Sequence, residues 1–249
     1  MCGKEDFPEA YVNGFADFYY ERYKVTEGVL IPRPDTELLV EAALAVCGAL
    51  DNPMGDVAKV VPLVSSGSEP QFSQSLEMAD LCTGTGCVGI SVSNALVRAG
   101  HKVFCELVDV SDVAVKCASS NLDVALGDVK VRKLDILSED FESRLGGGFS
   151  VITSNPPYIT DNEMKELPQS VRYEPELALR GGEDGLVFYR RLCKIAQKCL
   201  ASGGWLLVEH GYLQQEDVMK IFNENGFCNV TGLRDFGGNP RVVLGMWRI

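Results

Sequence analysis

The sequence alternates between short apolar runs and amphipathic segments, and this alternation limits the possible fold more than any other feature. The segments between the earlier apolar runs repeat apolar residues every three or four positions, as amphipathic helices do. Strands that alternate with helices form βαβ units, so we expect a parallel sheet covered by helices. The runs that predict strands are EMADLC, VFCELVDV, VKVRKLD, FSVITSN, GWLLVEH, CNVTGLRDF and RVVLGMWR.

Three of the intervening segments predict helices, and each is followed by a glycine that we interpret as a stop: Gly100, Gly127 and Gly203. These segments are VGISVSNALVRAG, DVAVKCASSNLDVALG and DGLVFYRRLCKIAQKCLASGG. A further helix, TELLVEAALAVCGAL, precedes the first strand and is introduced by Pro34 and a capping Asp35. The last two strands are joined by the short segment FGGNPR, which fits a hairpin and is too short for a crossover. We therefore expect the final strand to be antiparallel.

The two ends of this pattern suggest additions to one main domain at residues 25–249. Residues 1–24 contain YVNGFADFYYERY, which predicts an arm that lies on the domain through its aromatic side chains. Residues 51–75 have loop composition and predict a mobile surface insertion. Arg190 and Arg191 are expected on a solvated helix face.

Composition excludes several classes of protein. A formal net charge of −12 disfavours a surface that grips a nucleic-acid backbone, and no apolar run reaches the ~20 residues of a membrane span. The first residues lack the pattern of a signal peptide, so we expect a cytoplasmic, or in a eukaryote an organellar, monomer. Nine scattered cysteines without a C-x-x-C pair, and only two histidines, predict reduced buried thiols and no metal site.

A glycine-rich turn, DLCTGTGCVG, leads from the first predicted strand into a helix. Its Gly84-x-Gly86-x-x-Gly89 spacing matches a dinucleotide fingerprint, and Asp109 at the end of the next strand is placed to bind ribose hydroxyl groups. Any ribose-bearing cofactor satisfies this pattern, and so does a bare strand-to-helix turn.

Two further acidic positions favour S-adenosylmethionine over a dinucleotide. Asp80 ends the first strand, where it can meet the amino-acid end of the cofactor or hold the loop. Asp135 ends the third strand, from which it or Ile136 can border an adenine ring. The cofactor would lie across the carboxyl ends of the strands, at the point where the strand order reverses.

A rigid loop, Asn155-Pro156-Pro157-Tyr158, ends the fourth predicted strand. Consecutive prolines force extended geometry and leave carbonyl groups free to accept hydrogen bonds. The side-chain oxygen of Asn155 and the carbonyl of Pro156 can together accept both N–H groups of an NH₂ on a planar group, and Tyr158 can pack on its face. The loop predicts methyl transfer to such a nitrogen by orientation and charge stabilisation, although a proline-rich turn without function remains the simpler alternative.

These segments together resemble the release factor glutamine methyltransferases. The resemblance covers the chain from about Tyr11 onward and is carried by VLIPRPDTELLVEAAL, DLCTGTGCVG, VDVS, TSNPPYI, VRYEPELALRGGEDGLVFYRRL, LLVEHG and RDFGGNPRVVLG, in the family's order. It implies a three-layer, Rossmann-like class I fold with a seven-stranded sheet whose last strand is antiparallel. It also implies methyl transfer from S-adenosylmethionine to the glutamine of the Gly-Gly-Gln motif in a peptide chain release factor.

The resemblance implies a role for each matching position. The substrate site would include Arg33 and Glu37 from IPRPDTE and Glu174 from RYEP. It would also include the loop residues Asn155, Pro156, Pro157 and Tyr158. Of these, Asn155, Pro156 and Tyr158 would be catalytic. The cofactor site would comprise Asp80, Cys82, Thr83, Gly84, Thr85, Gly86, Asp109, Asp135, Ile136 and Asn155. Asp35 and Glu37 have a purely structural alternative as first-turn acids of the helix. Only about two dozen residues precede VLIPRPDTE, so we expect most of the family's N-terminal helical domain to be missing.

Three other functions remain open from sequence. An adenine N6-methyltransferase on DNA or RNA would use the same loop, because an adenine amine presents the same two donors. A nicotinamide-dependent oxidoreductase would explain the glycine turn and leave NPPY unexplained. A non-catalytic binding protein could keep the fold, because function resides in the site.

Overall fold

The computed structural model describes residues 7–50, 52–65 and 75–248. Its helices are α1 (Glu9–Asn13), α2 (Glu37–Val46), α3 (Val60–Ser65), α4 (Cys87–Arg98), α5 (Asp112–Ser120), α6 (Phe141–Leu145), α7 (Glu176–Leu179), α8 (Val187–Cys199) and α9 (Gln215–Glu224). Its strands are β1 (Phe15–Phe18), β2 (Glu21–Lys24), β3 (Ser75–Leu81), β4 (Lys102–Asp109), β5 (Asp128–Lys133), β6 (Phe149–Ser154), β7 (Ile159–Thr160), β8 (Arg180–Gly182), β9 (Leu200–Glu209), β10 (Cys228–Arg234) and β11 (Pro240–Met246).

One seven-stranded sheet organises the chain, in the order β10-β11-β9-β6-β3-β4-β5. All seven predicted strands are present, and the predicted parallel sheet with an antiparallel last strand is confirmed, because β11 pairs antiparallel with both β9 and β10. The chain passes from β3 outward to β4 and β5, then returns to the other side of β3 with β6. The strand order therefore reverses between β3 and β6.

Helices cover both faces of this sheet, which gives three layers. Along β9 the side chains alternate between the faces: Trp205 and Leu207 pack with α2 and α4, whereas Leu206 and Val208 pack with α8 and α9. The central strands β3, β6, β9 and β11 are largely buried on both sides, which explains their nearly continuous apolar runs, whereas the edge strands β5 and β10 are mostly part-exposed.

The predicted helices are confirmed as α2, α4, α5 and α8, with three corrections at their ends. Gly127 does not stop α5, which ends at Ser120 and is followed by a 3₁₀ helix, Asn121–Val124. Gly100 does follow α4 in a left-handed conformation, but Gly203 does not stop a helix: α8 ends at Cys199 and Gly203 lies inside β9. Asp35 lies in a 3₁₀ helix, Pro34–Thr36, and makes no capping hydrogen bond; it pairs with Arg241 instead, at 3.0 Å. The sequence interpretation also missed α9, which buries Val218.

The described part of the arm is a short helix and a β-hairpin, β1–β2, packed on the core. Phe18 and Tyr23 are buried in the same cluster as α2 and α4. The Tyr23 hydroxyl lies 2.7 Å from the Ser91 hydroxyl of α4. The hairpin is thus packed on the domain through the aromatic side chains of Phe18 and Tyr23.

The proposed insertion at 51–75 contains more structure than a loop. Residues 55–59 form a 3₁₀ helix that leads into α3, and Val57 and Val60 are buried against the core. Residues 51 and 66–74 lie outside the described residues, so the predicted mobility is untested there.

The cysteines and histidines form no obvious centre. Eight cysteines within the described ranges are free thiols, most of them buried. Across those ranges no three side chains of His, Cys, Asp or Glu group closely enough to hold a metal ion. In the same part of the chain, no helix has both the length and the apolar character needed to cross a membrane.

The buried Tyr23 hydroxyl gives a direct test of how the arm is held. We expect Tyr23→Phe to lower the free energy of unfolding by about 1 kcal/mol, because Ser91 loses a buried hydrogen-bond partner. Urea unfolding of the purified protein measures this. Tyr20→Phe is the matched control, since Tyr20 is 79% exposed and its change should stay within ~0.5 kcal/mol. Equal effects of the two substitutions would contradict anchoring through Tyr23.

Candidate active site

A single cavity opens at the carboxyl ends of β3, β4 and β6, where the strand order reverses. Open α/β sheets bind their ligands at this position, because the loops on the two sides of the reversal diverge and leave a crevice. Four separate parts of the chain line the cavity: residues 28–33; the glycine turn, with Asp80, residues 82–85 and residues 87–88; residues 109–111; and residues 134–137. Asn155, Pro157 and residues of the α7 region complete the lining. It thus collects most of the positions that the sequence singles out.

The glycine turn forms the floor of the cavity. Cys82 and Gly84 both adopt left-handed backbone conformations, with φ of 58° and 57°, and a non-glycine residue in this region is uncommon and typical of functional sites. A β-carbon at Gly89 would stand 2.3 Å from Leu107, so this glycine allows α4 to approach the sheet closely. Burial raises the pKa of the Cys82 thiol well above its usual value, which keeps it neutral and unsuited to nucleophilic attack.

Asp80 lines the cavity and also holds this turn. Its carboxylate accepts hydrogen bonds from the Thr83 hydroxyl at 2.5 Å, the Thr153 hydroxyl at 2.8 Å and the Gly89 amide at 3.3 Å. Burial raises the pKa of Asp80 to about 6, against the opposing effect of these donors. Of the two roles left open by the sequence, the contacts favour support of the loop.

Asp109 stands at the end of β4, on the wall next to the turn. One carboxylate oxygen accepts from the Gly84 amide at 2.9 Å, and the other accepts from the Ser111 amide at 2.9 Å. Each oxygen keeps a second lone pair for a hydroxyl group of a ligand. Burial raises the pKa of this carboxyl group.

The segment 134–137 forms the opposite wall of the cavity. Arg191, which we expected to be exposed to solvent, holds this segment in place. The side chain of Arg191 is 18% exposed; it donates to the backbone oxygens of Ile136 at 2.6 Å and Ser138 at 2.9 Å. It also forms a two-pronged ion pair with Glu142, which lowers the pKa of that carboxyl to about 2. Placement of Arg191 on a solvated face is therefore wrong, whereas Arg190 is half exposed and pairs with Asp184.

Within this wall the two predicted residues differ in their contacts. Ile136 is buried and lines the cavity, in keeping with an apolar surface for a flat ring. Asp135 also lines the cavity, but it is exposed and its carboxylate accepts from the Leu137 amide at 2.8 Å, which closes a local turn.

The NPPY loop approaches the cavity from β6. Asn155 and Pro157 are among the residues that line it, whereas Pro156 is buried and Tyr158 is half buried behind them. Gln214 donates to the Tyr158 carbonyl at 3.0 Å. A β-carbon at Gly181 would stand 2.7 Å from the Tyr158 backbone, so the RGGEDG segment supports the loop by direct backbone contact.

The remaining wall, residues 28–33, is tied down by residues distant in sequence. Buried Glu174 accepts from the Ile31 amide at 3.0 Å and pairs with the Arg33 guanidinium. The Tyr11 hydroxyl donates to the Val29 carbonyl at 2.6 Å. Arg33 lines the cavity, whereas Glu174 is not among the described residues that do, so a substrate contact by Glu174 remains a prediction.

Besides Pro156, Tyr158 and Glu174, two further predicted residues are not among the described residues that line the cavity. Glu37 accepts from the Tyr19 amide at 2.8 Å and so contacts the arm, and a substrate contact by Glu37 remains a prediction. Gly86 begins α4 in a left-handed conformation beside Leu107, where it shapes the turn from below. Thr83, Gly84 and Thr85 do reach the cavity.

The residues present fit S-adenosylmethionine. The Asp109 carboxylate suits a ribose diol, Ile136 and its neighbours offer an apolar surface for adenine, and the turn at Gly84 lets backbone approach a ligand. Together with the seven-stranded sheet, this site defines a class I methyltransferase that uses S-adenosylmethionine.

Comparison with known proteins gives the family. The chain is 34% identical over 244 residues to a release factor glutamine methyltransferase of Clostridium acetobutylicum, covering 97% of this chain and 75% of that protein. The protein of the same description from Pasteurella multocida is 35% identical over 248 residues, covering 97% and 76%. The chain belongs to the release factor glutamine methyltransferase family. The family description "Methyltransferase small domain" also matches residues 67–172.

Solved structures support the fold alone. The catalytic domain of hMettl16, solved in complex with the MAT2A 3′UTR hairpin 6, superposes with a TM-score of 0.60 at 16% identity, covering 91% of this chain and 74% of that one. The 16S rRNA N2 G1207 methyltransferase (RsmC) of T. Thermophilus, solved with AdoMet and guanosine, gives a TM-score of 0.53 at 16% identity, covering 94% and 50%.

The hydrogen bonds from Arg191 to the backbone of Ile136 and Ser138 predict a specific effect on cofactor binding. We expect Arg191→Lys to weaken S-adenosylmethionine binding about ten-fold, or ~1.4 kcal/mol, because lysine cannot replace the forked hydrogen bonds that hold the 134–137 wall. Isothermal titration calorimetry measures the change. Arg190→Lys is the control and should leave the affinity unaltered. Unchanged affinity in the Arg191 variant would show that this wall does not contact the cofactor.

The support of the NPPY loop predicts an effect on stability. We expect Gly181→Ala to lower the free energy of unfolding by about 1–3 kcal/mol, because the new methyl group overlaps the Tyr158 backbone. Gly147→Ala, whose β-carbon would meet its nearest atoms at 3.4 Å, should change stability by no more than about 1 kcal/mol. Denaturant unfolding of both variants provides the comparison, and a Gly181 variant as stable as the parent would refute close packing at this point.

Proposed function

We propose that this chain transfers the methyl group of S-adenosylmethionine to the side-chain amide nitrogen of the glutamine in the Gly-Gly-Gln motif of a peptide chain release factor. One observation carries the proposal: the NPPY loop and the glycine turn border the same cavity, so a planar NH₂ group held by the loop lies beside the methyl donor. Relatives that are about a third identical carry the corresponding description.

The residues of the NPPY loop can orient an amide nitrogen for methyl transfer. When bound, S-adenosylmethionine supplies a methyl group on positively charged sulfur. Asn155 Oδ1 and the Pro156 carbonyl accept the two N–H groups of the glutamine amide, which orients its nitrogen and stabilises the positive charge that develops there. Tyr158 packs on the plane of the amide. The methyl group would pass to the amide nitrogen in place of one of its protons, which would leave to solvent.

The substrate side of the cavity is assigned to Arg33 and to the residues of the loop. Arg33 lines the cavity with its side chain 42% exposed, so it can meet a protein substrate while Glu174 holds it. The partner we propose is a release factor, bound by a chain that acts as a monomer without nucleic acid. The net charge of −12 supports a protein substrate over a nucleic-acid backbone.

Transfer of radiolabelled methyl groups tests this function. We expect label on a purified release factor, none on a copy whose Gly-Gly-Gln glutamine is alanine, and none on duplex DNA or an RNA hairpin with an unpaired adenine. Asn155→Ala should reduce transfer by about a hundred-fold or more, because one of two acceptors is lost. Label on an adenine-containing substrate alone would replace the glutamine function with the adenine N6 alternative.

A further inference from the structure

A buried glutamate lies directly behind Asn155. Glu209 is the last residue of β9, and the parallel register of β6 with β9 aligns Ser154 with Val208, so the next residue of each strand lies side by side. Glu209 is 2% exposed and is not among the described residues that line the cavity. It therefore reaches the site only through the side chains in front of it.

The surroundings of Glu209 leave its carboxyl group incompletely satisfied. The side chains of Thr36 and Asn155 lie against it as hydrogen-bonding neighbours, yet its Oε2 atom has no hydrogen-bond partner in the part of the chain that the structure describes. A buried carboxylate oxygen without a partner costs stability, and such groups concentrate at functional sites. No step of the proposed transfer yet uses this one.

Asn155 can face its neighbours in two ways. Its Nδ2 atom, a donor, lies 3.4 Å from the Thr36 hydroxyl oxygen, which turns the Nδ2 side toward Glu209 and Thr36. An ionised carboxylate can only accept hydrogen bonds, so it favours this orientation. A protonated carboxyl group can donate to Oδ1 and thus favour the flipped amide, which would present two donors to the substrate's own donors.

We propose that Glu209 is a positioning residue: as a carboxylate, it holds the Asn155 amide with Oδ1 toward the cavity, ready to accept from the nitrogen that is methylated. The inference deepens the proposed function, on which its kinetic consequence rests. The orientation of Asn155 itself is a property of the free protein.

The role makes transfer depend on pH. Burial raises the pKa of Glu209 to about 7, so the productive carboxylate predominates above that value and is lost as the pH falls through it. Around it, Arg241 favours the charged form and Asp35 opposes it, while Tyr158, Tyr189 and Cys87 stay neutral because burial raises their pKa values. Burial lowers the pKa of neighbouring His210 to about 4, so that ring also stays neutral in this range.

Kinetics of the wild type and of Glu209→Gln separate this role from others. With saturating S-adenosylmethionine, we expect wild-type kcat on the release factor to rise with pH through about 7. Glu209→Gln should be independent of pH there, with kcat about ten- to hundred-fold below the wild-type plateau, a smaller change in KM and unaltered cofactor affinity. Asp80, whose pKa is about 6, would instead leave an acid limb in the variant.

Two further variants make the test specific. Glu106→Gln is the control at a separate polar cavity, which Glu106 lines with Asp128 and Lys130. The Glu106 Oε2 atom also lacks a hydrogen-bond partner among the described residues, although Arg132 lies 3.7 Å away as an ion-pair partner. The Glu106→Gln variant should behave as the wild type. Thr36→Val removes the neutral acceptor of Nδ2 and a contact that lowers the pKa of Glu209, so its kcat should fall and its midpoint should move to higher pH. A Glu209→Gln variant that keeps both the wild-type kcat plateau and the acid limb would overturn the proposal. If Glu209→Gln fails to fold, a Thr36→Val variant whose dependence of kcat on pH is unchanged would overturn it instead.

A measurement without substrate keeps this inference separate from the proposed function. In ¹⁵N-labelled protein, the Asn155 Nδ2 signals are identified by their absence in Asn155→Asp. We expect them to shift with a midpoint near pH 7 in the wild type and not in Glu209→Gln. A shift with no methyl transfer to any release factor would refute the function and keep the role of Glu209, whereas signals that do not titrate in the wild type would refute that role directly.

Discussion

The pairing of β3 with β6 is the constraint on which the site depends. These strands run side by side in parallel, with Leu81 opposite Ser154, and the Ser154 hydroxyl donates to the Leu81 carbonyl at 2.7 Å. The glycine turn follows one strand and the NPPY loop follows the other, so this register alone brings them to a common edge. A slip of one residue would turn the side chain of every residue in β6 to the opposite face of the sheet.

Buried carboxylates lie against the loops around this site, and they differ in how fully their oxygens are hydrogen-bonded or ion-paired. Asp80 accepts from three donors, and Glu174 accepts from the Ile31 amide and pairs with Arg33, so these contacts offset part of the cost of burying each carboxylate. Glu209 keeps one oxygen without a partner among the described residues. The first two behave as structural ties, whereas the third combines its incomplete satisfaction with a place next to Asn155.

Local patterns were enough to predict much of the fold and the floor of the site. Apolar residues marked all seven strands, most clearly the central ones, which are largely buried on both faces. The turn and the loop were found because glycine and proline act on the backbone within a few residues. Arg191 and Glu209 were not predicted, since their roles depend on Ile136 and Asn155, which lie 55 and 54 positions away in sequence. Helix α9 was not predicted for another reason. Its sequence QEDVMKIFNE mixes charged and apolar residues over only ten positions, which are too few for a clear helical period.

The wall formed by residues 28–33 owes its position to Glu174, 143 residues further along the chain. Contacts of such long range form only after the chain between them has been ordered, at a considerable cost in loop entropy. During synthesis on the ribosome, Ile31 is made 143 residues before Glu174. The Ile31 amide and the Arg33 guanidinium of the segment VLIPR therefore lack this carboxylate until that length of chain has followed. The cavity is therefore completed late in biosynthesis, and a nascent chain that stops before residue 174 can hold a glycine turn and an NPPY loop without the wall that encloses them.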